Sequence, residues 1–206
     1  MGQELVPVPP FQISQLAILV AGLFALRGLA RWMGGGAEPN PSRRGPPVPA
    51  LPSLLQVAAA AAVAVGLALL GRATSVPVYW TAAAVAGLCS LAAICVGAEV
   101  GAAFARVGYA LPSIHRVEAG SPGSVSAEGM LAATGAAALL AALAQGTALI
   151  GPGDAGLIVL AALAARLLER WLRSALGPGA AARWLAVLTP AAIGAGLAAA
   201  LAVLLP

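Results

Sequence analysis

Residues 79–103 read YWTAAAVAGLCSLAAICVGAEVGAA, and apart from Glu99 nothing in the run is charged. The hydrocarbon core of a bilayer is about 30 Å thick, and roughly 20 apolar residues in a helix cross it. This run is long enough, and it is apolar on every face rather than along one stripe. A helix of that kind belongs in a membrane or at the centre of a bundle. Its single carboxylate lies between Gly97 and Gly101. That small-x-x-x-small spacing invites a second helix to approach closely.

Five further stretches have the same character: 11–33, 51–70, 130–149, 155–172 and 184–205. Only 9% of the 206 residues are charged, and the mean hydropathy is +0.95. A soluble domain carries about 25% charged residues, so an aqueous surface cannot be built from this composition. The filling is Ala, Gly and Leu, which suits close backbone packing in lipid. The expected architecture is all-α: one transmembrane domain over 1–206, a bundle of about six helices.

Every cation is an arginine. Arg27, Arg31, Arg43 and Arg44 fall at or in the first connection, Arg106 and Arg116 in the third, and Arg166, Arg170, Arg173 and Arg183 at or in the fifth. Only Arg72 lies in an even-numbered connection. By the positive-inside rule the odd connections are cytoplasmic and both termini are outside. Tyr79 and Trp80 then mark the outer edge, and Trp32, Tyr109, Trp171 and Trp184 the inner one. Arg27 and Arg166 intrude into apolar segments near the cytoplasmic end, where a long side chain can snorkel to water. No basic stretch precedes the first segment, which reads as an uncleaved anchor. Lysine-free, Ala/Gly/Pro/Arg-rich usage points to a GC-rich bacterial genome, hence to the inner (cytoplasmic) membrane. No soluble basic module is present, which argues against nucleic-acid binding. Cys89 and Cys95, six apart on different helix faces, read as small hydrophobes.

Two connections stand out. Residues 34–50 are rich in Gly and Pro and read as a flexible cytoplasmic linker beside anionic headgroups. Residues 104–129 form a longer cytoplasmic Gly-rich loop containing His115, Arg116 and Glu118. Its end, GSPGSVSAEG over 120–129, has two readings. Gly120, Gly123 and Gly129 can turn their N–H groups, with the Ser124 and Ser126 hydroxyls, towards a phosphate at the start of the next helix. The plainer reading is a turn followed by a helix cap at Ser126 or Ala127. Arg166, Glu169, Arg170 and Arg173 share one helix face at i, i+3, i+4 and i+7. They form either a phosphate clamp or a cationic anchor whose Glu is satisfied internally. Glu99 is either a functional intramembrane carboxylate or an interfacial one that reaches water. His115 is the only histidine, and no ligand cluster surrounds it in sequence.

The run Arg116-Val117-Glu118-Ala119 followed by GSPGSVSAEGMLA resembles the signature of the phytyl-phosphate kinase and transmembrane protein 19-like membrane family. That signature is approximately Gly-x-x-Gly-x-Val-Ser-x-x-Gly and then a small-residue helix. Gly120, Gly123, Val125, Ser126, Gly129, Leu131, Ala132 and Gly135 match it. Weaker likenesses follow in the family's order at Gln56-Val57, at Glu99-x-Gly101 and along 165–174 with Glu169. The resemblance implies phosphoryl transfer from a CTP-like nucleotide to an isoprenoid phosphate. Glu99 and Glu169 would be the catalytic carboxylates and Mg²⁺ ligands. Gly120, Gly123, Ser124, Ser126 and Gly129 would cradle phosphates, with Arg116, Arg166 and Arg170 neutralising charge. The departures concern polar groups. Ala60 stands where the family has Asn, Ile94 where it has Asp, and Glu169 where it has a second Asp; the only Asn is Asn40. The expectation is a divergent member with impaired or altered phosphoryl transfer, or else a non-catalytic subunit of a larger membrane complex or a lipid binder. In a working kinase Glu99 and Glu169 would converge on one Mg²⁺. In a non-catalytic relative Glu169 would be neutralised by the arginines of its own helix, and the three arginines favour this arrangement.

Overall fold

The computed structural model describes residues 13–35, 77–111, 113–118, 123–151 and 153–176, with isolated positions between 58 and 66 and between 184 and 196. The segments expected at 51–70 and 184–205 and the linker at 34–50 lie almost wholly outside the described residues. The described elements are α1 (Ile13–Gly35), α2 (Pro77–Phe104), β1 (Val107–Ala110), β2 (His115–Glu118), β3 (Ser124–Val125), α3 (Ala127–Gly146) and α4 (Asp154–Leu176). Among the described residues three helices are long and apolar enough to cross a membrane, over Ser14–Met33, Trp80–Phe104 and Ala127–Gly146. The fifth expected segment, α4, is as long but carries Arg166, Glu169, Arg170 and Arg173 in its second half, so it is not apolar enough to count with them.

α2 is the central helix. Every residue from Ala82 to Glu99 is buried, because α1, α3 and α4 all pack on it. The others bury one stripe each. Leu16, Leu19, Leu23, Arg27 and Ala30 of α1 recur every three or four residues, while Ile18, Phe24 and Leu29 face outward. α3 buries Ala133, Ala136, Ala137, Leu140, Ala141 and Ala144 and exposes Leu131 and Leu139. Outward leucines are at home in lipid, where helices associate by close packing rather than by excluding water.

Side-chain ties fix the helix directions. Gln15 Nε2 near the start of α1 donates to Thr147 O just past the end of α3 (2.8 Å). Arg27 near the end of α1 meets Glu99 near the end of α2. Gly97 of α2 lies against Gly129 at the start of α3. Arg166 of α4 reaches the Ile94 carbonyl of α2. Hence α1, α2 and α4 run in one direction and α3 runs in the other.

The chain between α2 and α3, expected as a loop over 104–129, carries a three-stranded antiparallel sheet in the order β2-β1-β3. The chain is therefore mostly helical rather than all-α. The strands have four residues or fewer, too short for an alternating pattern to announce them. Backbone pairing satisfies groups that a structureless loop would leave to water.

Candidate functional site

The ionisable groups inside the bundle gather near its sheet end. Their level is set by the crossing of α2 and α3. A Cβ built on Gly97 would lie 2.6 Å from Gly129 O, and one on Gly129 would lie 2.7 Å from Gly97 O. A Cβ on Gly101 would come within 3.0 Å of Ser126 Oγ. The two backbones touch, and only glycine permits it.

Glu99, between those glycines, is engaged from α1. Arg27 Nε lies 3.2 Å from Glu99 Oε1, and Arg31 Nε lies 4.0 Å from the same oxygen. Arg27 is only 3% exposed, so it does not snorkel as expected from sequence. A buried carboxylate offers it more than a distant water layer does. Arg166, expected to snorkel likewise, is buried as well: its Nη1 donates to Ile94 O and to Glu169 Oε2, each at 3.1 Å.

Glu169, 1% exposed, is enclosed by its own helix. Arg166 and Arg170 contact its Oε2, the latter at 3.3 Å, and Arg173 contacts its Oε1. Positions i−3, i+1 and i+4 place three guanidiniums around one carboxylate. The internally satisfied reading of this face describes the geometry.

The two carboxylates are thus engaged separately, Glu99 by α1 and Glu169 by α4. Mg²⁺ needs oxygen ligands with charge to spare. Here arginines meet both oxygens of Glu169 and Oε1 of Glu99, and Glu99 Oε2 alone of the four oxygens has no hydrogen-bond partner, which is a poor donor set for a divalent cation. Among the described residues no group of three His, Cys, Asp or Glu side chains comes together.

Of the expected phosphate residues, Gly129 and Arg166 both lie against Gly97, where a built Cβ would meet Gly129 O at 2.6 Å and Arg166 Nε at 3.1 Å. Arg116 is exposed on β2, whereas Arg166 and Arg170 are buried on α4. Gly120 lies outside the described residues. Gly123 adopts φ 77°, and a Cβ there would meet Ser174 Cβ of α4 at 2.7 Å; it turns the chain tightly beneath that helix. Ser124 is buried in β3, opposite Ala110. Ser126 is the N-cap of α3, and its hydroxyl accepts from Gly129 N at 3.2 Å. The helix start is capped from within, so these serines and glycines have structural work to do.

His115 Nδ1 and Ser113 Oγ are 2.6 Å apart in the exposed β1–β2 turn. Cys89 and Cys95 are buried free thiols. The role that sequence reasoning missed is Arg27 as partner of Glu99. Its signal was the presence of two opposite charges in otherwise apolar segments, each needing a counter-ion.

No family model, curated protein or solved structure matches the chain.

Proposed function

We propose that the chain is a multi-pass protein of the inner membrane, of phosphate- and isoprenoid-binding kinase-like ancestry, in which phosphoryl transfer has been lost. It serves instead as a non-catalytic membrane subunit or lipid binder. The carrying observation is that Glu99 and Glu169, the two carboxylates the resemblance would assign to Mg²⁺, are each neutralised by buried arginine. Phosphoryl transfer is chiefly positioning and charge neutralisation around a metal; arginines meet both oxygens of Glu169 and Oε1 of Glu99, and the one remaining oxygen, Glu99 Oε2, is a poor ligand set for Mg²⁺. Full-length protein in detergent, offered geranylgeranyl phosphate, CTP and Mg²⁺, is expected to release no CDP. Mg²⁺-dependent release that vanishes in both Glu99→Gln and Glu169→Gln would overturn the reading.

The six-segment arrangement with both termini outside belongs to the same proposal. Its support is the common direction of α1 and α2, since the chain leaving α1 has to return to the opposite end of the bundle before α2 begins. We assign that return to the apolar run at 51–70, which by its sequence is long enough to cross. Charge agrees: the described arginines lie towards the sheet end, and Asp154 is the charged residue described at the other. Cysteine placed at Gly45 is expected to label only from the cytoplasm, and at Gly153 only from outside. The native thiols are buried and give no background. Labelling of both positions from one side would sink the arrangement.

A further inference from the structure

We propose that the sheet is a docking surface for anionic phospholipid headgroups of the leaflet at which α2 ends. Arg106 and Arg116 would contact lipid phosphate, and Val107, Tyr109 and Ile114 would enter the acyl boundary. The proposal rests on the membrane-spanning reading above.

Continuity comes first. β1 begins at Val107 directly after α2 ends at Phe104, so the sheet lies at the mouth of a helix long enough to cross the bilayer. The register then sorts its side chains. Tyr109 stands opposite Arg116 on β2 and Val125 on β3, and Val107 stands opposite Glu118. Directly opposite residues share a face. Val107, Tyr109, Arg116 and Glu118 on this face are exposed, whereas Gly108 on the other is buried. Tyr109 on the central strand is the middle of this face, with Arg116 and Glu118 beside it on the edge strand, and an amphipathic ring so placed suits the headgroup layer.

The hairpin tip adds a second indication. Ile114 is 68% exposed at φ 51°, a left-handed conformation that β-branched residues rarely adopt. Its N–H donates to Ala110 O at 2.8 Å, which holds the turn. The turn presents an isoleucine outward where a polar residue would be the easy choice in water. Charge complementarity names the occupant: at this end exposed Arg31, Arg106 and Arg116 outnumber exposed Glu118. Arg106 and Arg116 are exposed, and among the described residues neither has an ion-pair partner. Exposed Arg31 and Trp32 close α1 at the same end. Anionic lipid attracts such side chains, and each arginine near the surface strengthens binding about fivefold.

The test uses the full chain in neutral detergent, with Ser113→Cys carrying an environment-sensitive fluorophore. Titrated phosphatidylglycerol is expected to shift the emission to the blue. Arg106→Gln and Arg116→Gln should each raise the midpoint about fivefold, and together more than tenfold. The proposal is overturned by an unchanged midpoint in the double variant, by the same midpoint with phosphatidylcholine, or by inorganic phosphate reproducing the shift. Alkaline carbonate extraction of membranes separates the two readings. A chain that stays in the pellet keeps the membrane-spanning reading even if the titration fails, and a chain that is released defeats both.

Discussion

Glu169→Gln is expected to destabilise the protein by about 3–5 kcal/mol, the usual cost of removing one partner from a buried ion pair. Gln keeps the shape but withdraws the charge that holds Arg166, Arg170 and Arg173 together. Three guanidiniums would then face one another within a helix face packed against α2. Arg166 also donates to Ile94 O, so repulsion among the arginines pulls on the α2–α4 contact itself. Unfolding can be followed in detergent with a thiol-reactive dye, because Cys89 and Cys95 are shielded until the bundle opens. A drop in midpoint on the order of 10 °C is expected. Adding Arg173→Met to the Glu169→Gln protein should restore part of the loss, since one surplus cation is removed. A midpoint within about 1 °C of wild type would show that the carboxylate is not needed to hold the arginines.

Gly97→Val should be comparably severe, at or above the upper end of the roughly 1–3 kcal/mol expected for overpacking. The added Cβ alone would lie 2.6 Å from a backbone oxygen and 2.9 Å from Ala133 Cβ. Neither is the far end of a flexible side chain, so α2 and α3 must separate. Separation would also disturb the level at which Glu99 meets Arg27. Gly135 provides the control within α3: it is exposed, with nothing within 4 Å of a built Cβ. Gly135→Ala should leave the same dye-detected midpoint unchanged or raise it slightly, its stability gaining about 0.5–1 kcal/mol through reduced backbone entropy. Equal effects at the two glycines would refute the close crossing.

Much of the helical layout is legible from residues alone, because lipid and core both demand long apolar runs. The closeness of α2 and α3 is foreshadowed by Gly97 and Gly101. The enclosure of Glu169 follows from spacing, since its partners are one, three and four residues away on the same helix. Arg27 and Glu99 are 72 residues apart, and only the tertiary direction of α1 brings them together. Without that direction, snorkelling was the physical default for Arg27. The sheet was hidden for a different reason. VGYA and HRVE are too short to show a period, and the glycines beyond them fit a phosphate nest as readily as a tight turn. The seat of Gly123 against Ser174 and the use of Ser126 as a cap are both set by packing, which no local spacing announces.

The parallel course of α1 and α2 also has a consequence for biogenesis. A ribosome adds roughly 5–20 residues per second. A nascent chain inserting as it is made therefore holds Arg27 for roughly 4–14 s before Glu99, 72 residues later, has been synthesised. During that interval the newborn helix has to keep its guanidinium in contact with water or with the insertion machinery. On the proposed membrane-spanning reading, snorkelling, which the finished bundle does not use for Arg27, is expected of that side chain until Glu99 arrives.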